Sequence, residues 1–93
     1  MTMSASQDTR THISSVLQAA LTPTDLRVQD DSAAHAGHAG AREGGHYTVY
    51  IRSHRFAGLG RLARHRLVYD ALGPLQACRI HALAIYAKAP DEG

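Results

Sequence analysis

An apolar stretch near the end of the chain constrains the fold most strongly. From Arg79 to about Lys88 both alternating sets of side chains are largely apolar, which is typical of a strand whose two faces are covered. The sequence therefore predicts an interior strand over these residues. His81 lies at its start, where a buried imidazole without a hydrogen bond costs on the order of 1–3 kcal/mol. This residue is either a core histidine with a partner or a residue with a function.

Two amphipathic helices are predicted from apolar residues that recur at helical spacing. The first has Asp8 or Thr9 as its N-cap and ends before Pro23. The second follows a connector over Ser53–Gly60 and ends at Gly73-Pro74, after which a short helical turn is expected. The apolar side of the first helix is Ile13, Val16, Leu17, Ala20 and Leu21, and that of the second is Leu62, His65, Val68, Tyr69 and Leu72.

A hairpin with a long loop is predicted between the two helices. Leu26 and Val28 alternate with polar residues, and so do the apolar residues from Tyr47 to Ile51, as in strands with one covered face. The segment Asp31–Gly45 between them is too rich in Gly, Ala and His for regular structure. We expect this loop to be mobile in the absence of a partner, because its small side chains offer little to bury.

The order helix, strand, strand, helix, short helix, strand predicts an α+β sandwich with the helices on one face of the sheet. A chain of 93 residues has room for one modest core. We expect a single domain over residues 9–90, a flexible N-terminal tail over residues 1–8 and a C-terminal tail over residues 91–93. The predicted core comprises Ile13, Val16, Leu17, Leu26, Val28, Val49, Ile51, Leu62, Val68, Leu72, Ile80, Leu83 and Ile85.

Composition argues against several classes of protein. No apolar run approaches the length of a membrane span, and the polar start lacks a secretory signal, so a cytoplasmic protein is expected. The lone Cys78 has no partner for an internal disulfide. The sequence contains no Gly-rich phosphate loop after a strand, no nucleophile elbow and no evident carboxylate pair. We therefore expect neither an enzyme nor a small-molecule substrate.

Charge is unevenly distributed along the chain. The formal net charge is +2, but between Arg42 and Arg79 seven arginines face only Glu43 and Asp70, a local excess of +5. A basic middle attracts phosphates or an acidic protein partner, and the same pattern also occurs on solvated helix faces.

Imidazoles are the residues this chain has in excess, with seven histidines. Neutral imidazole suits borderline metals such as iron and zinc. The loop contributes His35 and His38 in addition to the strand residue His81. Two such ligands leave a metal coordinatively open, so a stable site needs sulfur or nitrogen from elsewhere.

Several separated blocks of the sequence closely resemble the BolA family, and together they cover roughly residues 10–90. The blocks are Asp30-Asp31-Ser32, the His/Gly loop, His46-Tyr47, Arg55-Phe56-Ala57-Gly58, Arg64-His65-Arg66-Leu67-Val68-Tyr69 and Ile80-His81-Ala82-Leu83.

The resemblance implies a fold similar to the type II KH topology, with a three-stranded mixed sheet. Relatives usually continue past the last strand into a further helix. Here Pro90 and two acids begin such a helix, and the sequence stops soon afterwards. We therefore expect the C-terminal helix to be truncated or reduced to a turn.

The resemblance also implies a partner. BolA proteins pair with monothiol glutaredoxins, and the heterodimer shares a [2Fe–2S] cluster to which glutaredoxin and glutathione contribute thiolates. On this chain the histidine of the His-Ala-Leu motif is His81, and the loop histidine is His35 or His38, while His46 more resembles a structural position. For the isolated chain no cofactor is expected, and no membrane is implied.

The alternative function is DNA binding, because family members are also described as transcriptional regulators in stress and morphology responses. A KH domain clamps the nucleic-acid backbone with a Gly-x-x-Gly loop, which Ala57-Gly58-Leu59-Gly60 matches imperfectly. Under this alternative the phosphates are contacted by Arg52, Arg55, Arg61, Arg64 and Arg66. We expect such binding to be weak and independent of sequence.

Overall fold

The computed structural model describes residues 5–31 and 45–92. In chain order these form α1 (Ala5–Leu21), β1 (Asp25–Asp30), β2 (Gly45–Arg52), a 3₁₀ turn (His54–Phe56), α2 (Arg61–Leu72), a second 3₁₀ turn (Gln76–Cys78) and β3 (Ile80–Lys88). The predicted order of elements is confirmed. Gly73 ends α2 as predicted, with a φ of 75° that favours glycine. Neither helix in these ranges is long and apolar enough to cross a membrane.

The three strands form one mixed sheet in the order β1-β2-β3. β1 pairs antiparallel with β2, and β3 pairs parallel with β2, so the predicted hairpin and mixed sheet are confirmed. The prediction that the last strand is interior is wrong, because β3 lies at the edge and β2 is central. The second face of β3 consists mainly of small residues such as Ala82 and Ala84. Alanine counts as apolar in a sequence pattern, but it buries little surface.

Both helices pack on the same face of the sheet, and the core lies between them and the strands. α1 contacts β1 and α2, while α2 contacts β3. Ile13 and Leu17 of α1, Val68 of α2 and Val49 of β2 are fully buried there. Val16, Leu26, Val28 and Leu83 are half-buried against this core, so most of the predicted core is confirmed.

Several residues depart from the predicted core. Leu21, Tyr47 and Ala89 are buried without having been assigned to it, and the clearest departures are Leu62 and Phe56. Leu62 is 68% exposed, because it lies six residues before the buried Val68 and so points about 120° away from it around the helix. Phe56 is fully buried although it belongs to the connector after β2, where no periodic pattern predicts burial. The second helix therefore buries less of its surface than expected, whereas the connector buries more than expected.

The first helix begins earlier than the predicted cap. α1 begins at Ala5 rather than after a cap at Asp8 or Thr9, so residues 5–8 belong to the helix. Residues 5–22 contain no Gly or Pro that would interrupt this helix. At the other end the chain makes a turn in which the Glu92 N–H donates to the Ala89 carbonyl.

Candidate functional site

An irregularity in the β2–β3 pairing determines where His81 lies. Gly45 is opposite Ile80, but His46 is opposite Ala82, so β3 carries one extra residue, His81, at this point. Such a β-bulge redirects neighbouring side chains and is frequent beside functional sites. It allows Ile80 and Leu83, which are three residues apart, both to pack against the core, while His81 is exposed.

The bulge places His81 beside His46. Their ring centroids are 5.1 Å apart, and the ring planes are inclined by 50°. Two nitrogens bound to one metal are at most about 4.2 Å apart, because each metal–nitrogen bond is about 2.0–2.1 Å long. Rings at the observed separation are compatible with that arrangement after small rotations. The half-buried His46 and the exposed His81 therefore form a candidate pair of metal ligands.

Asp31 and Gly45, the described residues on either side of residues 32–44, lie close to this histidine pair. The Asp31 N–H donates to the carbonyl oxygen of His46 at 2.7 Å, and the Gly45 N–H donates to the carbonyl oxygen of Arg79 at 3.0 Å. Both flanking residues are thus held by backbone hydrogen bonds to residues next to, or within, the pair.

The side chain of Asp31 reinforces the first of these ends. Its carboxylate accepts hydrogen bonds from the Gln29 amide, at 2.7 Å, and from the Thr48 hydroxyl. His35 and His38, the loop histidines predicted as ligands, lie outside the described residues. Asp31 is therefore held by both its backbone and its side chain beside the candidate ligands.

The donor set at this site is incomplete. Within residues 5–31 and 45–92, no group of three or more His, Cys, Asp and Glu side chains is placed to hold a metal ion. The thiol of Cys78 is half-buried and donates to the Leu72 carbonyl at 3.4 Å. Two imidazoles can serve one iron of a [2Fe–2S] cluster, as in Rieske centres, provided that thiolates hold the other iron. The pair suits a cluster shared with another molecule.

Arg64, one of the predicted phosphate contacts, is instead bonded within the chain. Its Nε donates to the Leu59 carbonyl at 2.8 Å and its Nη1 to the Ala87 carbonyl at 3.1 Å. The same guanidinium forms two hydrogen bonds with the Glu92 carboxylate, and only 13% of the Arg64 side chain is exposed. These bonds fasten the C-terminal turn to α2 and β3.

Glu92 is held on several sides. Hydrogen bonds from Arg64 and from the Ala89 N–H lower the pKa of the Glu92 carboxyl from 4.5 to about 2, because they stabilise its charged form. Arg52, another predicted phosphate contact, donates to the carbonyl oxygens of Pro90 and Glu92 and lies 3.9 Å from the Asp25 carboxylate. Arg52 and Arg64 thus both form hydrogen bonds to the C-terminal turn that contains Pro90 and Glu92.

The remaining predicted phosphate contacts, Arg55, Arg61 and Arg66, are exposed. They lie on the 3₁₀ turn after β2 and on α2. A nucleic-acid surface built from the predicted set is therefore reduced to these three side chains.

Sequence reasoning ranked His46 below the loop histidines, yet His46 is the imidazole found beside His81. The spacing of Ile80 and Leu83 in the sequence already indicated the bulge that brings His46 and His81 together. Both were predicted to be in the core, but an odd spacing places two residues of a regular strand on opposite faces. Because the helices cover one face of the sheet, a bulge is needed to reconcile these two expectations.

Comparison with known proteins identifies the family. The family model described as BolA-like protein matches residues 17–92. BolA-like protein 1 of Mus musculus is 43% identical over 76 residues, which are 82% of this chain and 54% of that protein. The chain therefore spans about half the length of this relative. DNA-binding transcriptional regulator BolA of Escherichia coli is 38% identical over 77 residues, covering 83% of this chain and 71% of the relative.

A solved structure agrees with this assignment. The BolA domain of SufE1 from Arabidopsis thaliana superposes with a TM-score of 0.78 and 40% sequence identity, covering 90% of this chain and 94% of that domain. With the αββααβ fold and the mixed sheet, these matches show that the chain belongs to the BolA-like protein family.

Proposed function

We propose that this protein binds a monothiol glutaredoxin and shares a [2Fe–2S] cluster with it, with His81 as a cluster ligand. In this role it acts in iron–sulfur cluster assembly or trafficking and in iron regulation. The observation that carries the proposal is the bulge at His81, which leaves this imidazole exposed and 5.1 Å from that of His46. Such a pair can bind iron but cannot complete its coordination.

The incomplete donor set explains why a partner is required. Glutaredoxin and glutathione supply the thiolates that this chain lacks, since its one cysteine lies half-buried and bonded to Leu72. When bound, the cluster provides a one-electron redox centre and transferable iron and sulfide. Histidine ligands raise the potential of such a cluster and can be released by protonation, which suits a carrier that must let its cargo go.

The second imidazole comes from His46 or from one of the loop histidines His35 and His38. His46 has the support of its position beside His81, with ring centroids 5.1 Å apart. The loop histidines have the support of the resemblance, and the flanking residues Asp31 and Gly45 are hydrogen-bonded beside the pair.

The test is anaerobic reconstitution of this protein mixed with a monothiol glutaredoxin, followed by visible absorption, circular dichroism and gel filtration. The wild type should give a heterodimer with a cluster spectrum distinct from that of glutaredoxin alone. His81→Ala should abolish the mixed-cluster spectrum without unfolding the protein. His54→Ala is the matched control, because His54 is also exposed but lies beyond the opposite end of β2.

The second ligand is assigned by His46→Ala, His35→Ala and His38→Ala, made singly and in combination. The single or combined variant that reproduces the effect of His81→Ala identifies the residue or residues concerned. A wild-type mixed spectrum from His81→Ala would contradict the proposal.

DNA binding is the second candidate function. It is favoured by the exposed Arg55, Arg61 and Arg66 and by the printed name of the Escherichia coli relative. If these side chains contact phosphates, the affinity for duplex DNA should fall steeply with salt, and each Arg→Ala change should flatten that dependence by about one unit of slope. Tight, sequence-selective binding at physiological salt would rank this function above cluster sharing.

A further inference from the structure

The sheet face opposite the helices carries a row of stacked flat groups. The rings of Tyr50 on β2 and Tyr86 on β3 have centroids 5.1 Å apart and planes inclined by only 11°. The guanidinium of Arg27 on β1 lies 5.7 Å from the centroid of Tyr50. The row therefore crosses all three strands, from Arg27 through Tyr50 to Tyr86 on the edge strand.

Tyr86 is the open end of this row. It is 55% exposed, whereas Tyr50, which has a neighbour on each side, is 40% exposed. Ala84, the preceding residue on the same face of β3, is small and exposed. In the described part of the chain no strand lies beyond β3. A planar group can therefore approach the side of the Tyr86 ring that faces away from Tyr50.

Positive charges outnumber negative charges around the tyrosine pair. Arg52 and Lys88 are opposite each other in register, one position beyond Ile51 and Ala87, and Arg27 begins the row. Asp25 is the one acid among the described residues that line this depression. Exposed aromatic rings beside a basic groove are the combination that binds single-stranded nucleic acids without sequence preference.

We propose that this surface, formed by Arg27, Tyr50, Tyr86 and Lys88 and named the tyrosine face, binds single-stranded nucleic acid with a base stacked on Tyr86. A base extends the existing row by one flat group, and its neighbouring phosphates lie in the field of Arg27 and Lys88, since Arg52 is already bonded to the C-terminal turn and paired with Asp25. Duplex DNA does not fit, because its base faces are already stacked on one another.

A protein partner fits the tyrosine face less well. Among the described residues the large apolar side chains exposed on this face are the two tyrosines, whereas the exposed Leu62 and Tyr69 belong to α2 on the other side of the sheet. The surface is separate from the histidine pair, which lies at the other end of β2 and β3, whereas Tyr86 and Lys88 also line a second depression together with Arg61 of α2. Its failure would therefore leave the proposed cluster function unaffected.

The test is a titration of the full chain with fluorescently labelled oligothymidylate and oligouridylate, read by anisotropy, with an unlabelled duplex of the same length as competitor. Both single strands should bind more tightly than the duplex, and the tighter of the two identifies DNA or RNA as the source. Tyr86→Ala should weaken binding at least about fivefold. Tyr86→Phe keeps the ring and should bind like the wild type.

Tyr69→Ala is the matched control, because it removes a tyrosine of similar exposure, 38%, from α2. It should leave binding unchanged. If Tyr86→Ala does not fold by circular dichroism, Tyr86→Leu removes the aromatic ring while keeping most of the bulk and decides the same question. Wild-type affinity of the ring-less variant, or equal affinity for duplex and single strand, would overturn the proposal. Loss of binding only in Arg61→Ala or Arg66→Ala would overturn it as well.

Discussion

The two ends of the parallel β2–β3 pair present polar side chains in opposite ways. At the first, the histidine end, a bulge leaves His81 exposed next to His46. At the second, the arginine end, Arg52 of β2 and Arg64 of α2 donate to the backbone and carboxylate of the C-terminal turn. Polar residues at the two ends of this strand pair thus form a candidate binding site at one end and a structural attachment at the other.

Packing around the strands accounts for this difference. The connector after the arginine end turns back into the core, where Phe56 and Ser53 are fully buried. The histidine end continues into the segment over residues 32–44, and the pair there lies on the sheet face opposite the helices. We infer that stability depends on the arginine end and that function depends on the histidine end.

The largest expected effect on stability is at Phe56. Phe56→Ala should lower the free energy of unfolding by about 3–5 kcal/mol, because it removes a fully buried ring and leaves a cavity. Urea denaturation measures the change. Leu62→Ala, at a position that is 68% exposed, should change it by no more than about 0.5 kcal/mol. Equal effects of the two substitutions would mean that the connector is not part of the core.

A smaller loss is expected at Ser53. Its buried hydroxyl donates to the Leu21 carbonyl at 2.7 Å and accepts from the Arg55 N–H at 3.1 Å. Ser53→Ala should cost about 1–3 kcal/mol, because buried backbone groups lose their partner. Ser15→Ala, at an exposed position of α1, is the control in the same denaturation series. A neutral Ser53→Ala would show that water replaces the hydroxyl.

The Arg64–Glu92 ion pair at the arginine end should make the stability of the fold depend on pH. The pKa of Glu92 is about 2 in the folded chain and 4.5 without its partners, so its contribution is complete above about pH 4.5 and is lost as the pH falls toward 2. Glu92→Gln and Arg64→Ala should therefore flatten the fall in melting temperature over this range, measured by circular dichroism. Arg66→Ala, which removes an exposed arginine, should keep the wild-type slope, and an unchanged slope in Glu92→Gln would contradict the pairing.

The smallest effect on stability is expected at the histidine end. His81→Ala should change the free energy of unfolding by no more than about 0.5 kcal/mol, because the side chain is exposed. The same urea titration measures it, with His54→Ala as the reference for an exposed histidine. A loss as large as that of Ser53→Ala would make His81 a structural residue and remove the contrast between the two ends.

Periodicity was sufficient to predict most of the fold, because each helix and strand buries one face of its own sequence. The alternation from Tyr47 to Ile51 predicted the central strand, and the helical stripe around Ile13 and Leu17 predicted α1 and its place in the core. The edge position of β3 was missed because alanines count as apolar whether or not they are covered.

The features that sequence reasoning missed depend on residues far apart in the chain. Arg64 and Glu92 are 28 positions apart, and no local pattern shows that the guanidinium serves a carboxylate rather than a phosphate. The juxtaposition of His46 and His81 depends on a parallel register and on a bulge, and strand periodicity alone specifies neither. The sequence therefore identified His81 as a member of the candidate site but did not identify its neighbour, His46.

The most direct test of the account is pulsed electron paramagnetic resonance on the reduced mixed cluster. This chain is labelled with ¹⁵N-histidine and the glutaredoxin is left unlabelled, so that any ¹⁵N coupling comes from a histidine of this chain. We predict strong ¹⁵N couplings from ligating imidazoles in the wild type and in His54→Ala, and the loss of these couplings together with the mixed cluster in His81→Ala. A cluster without ¹⁵N coupling in the labelled wild type would contradict the claim that the histidine end binds it.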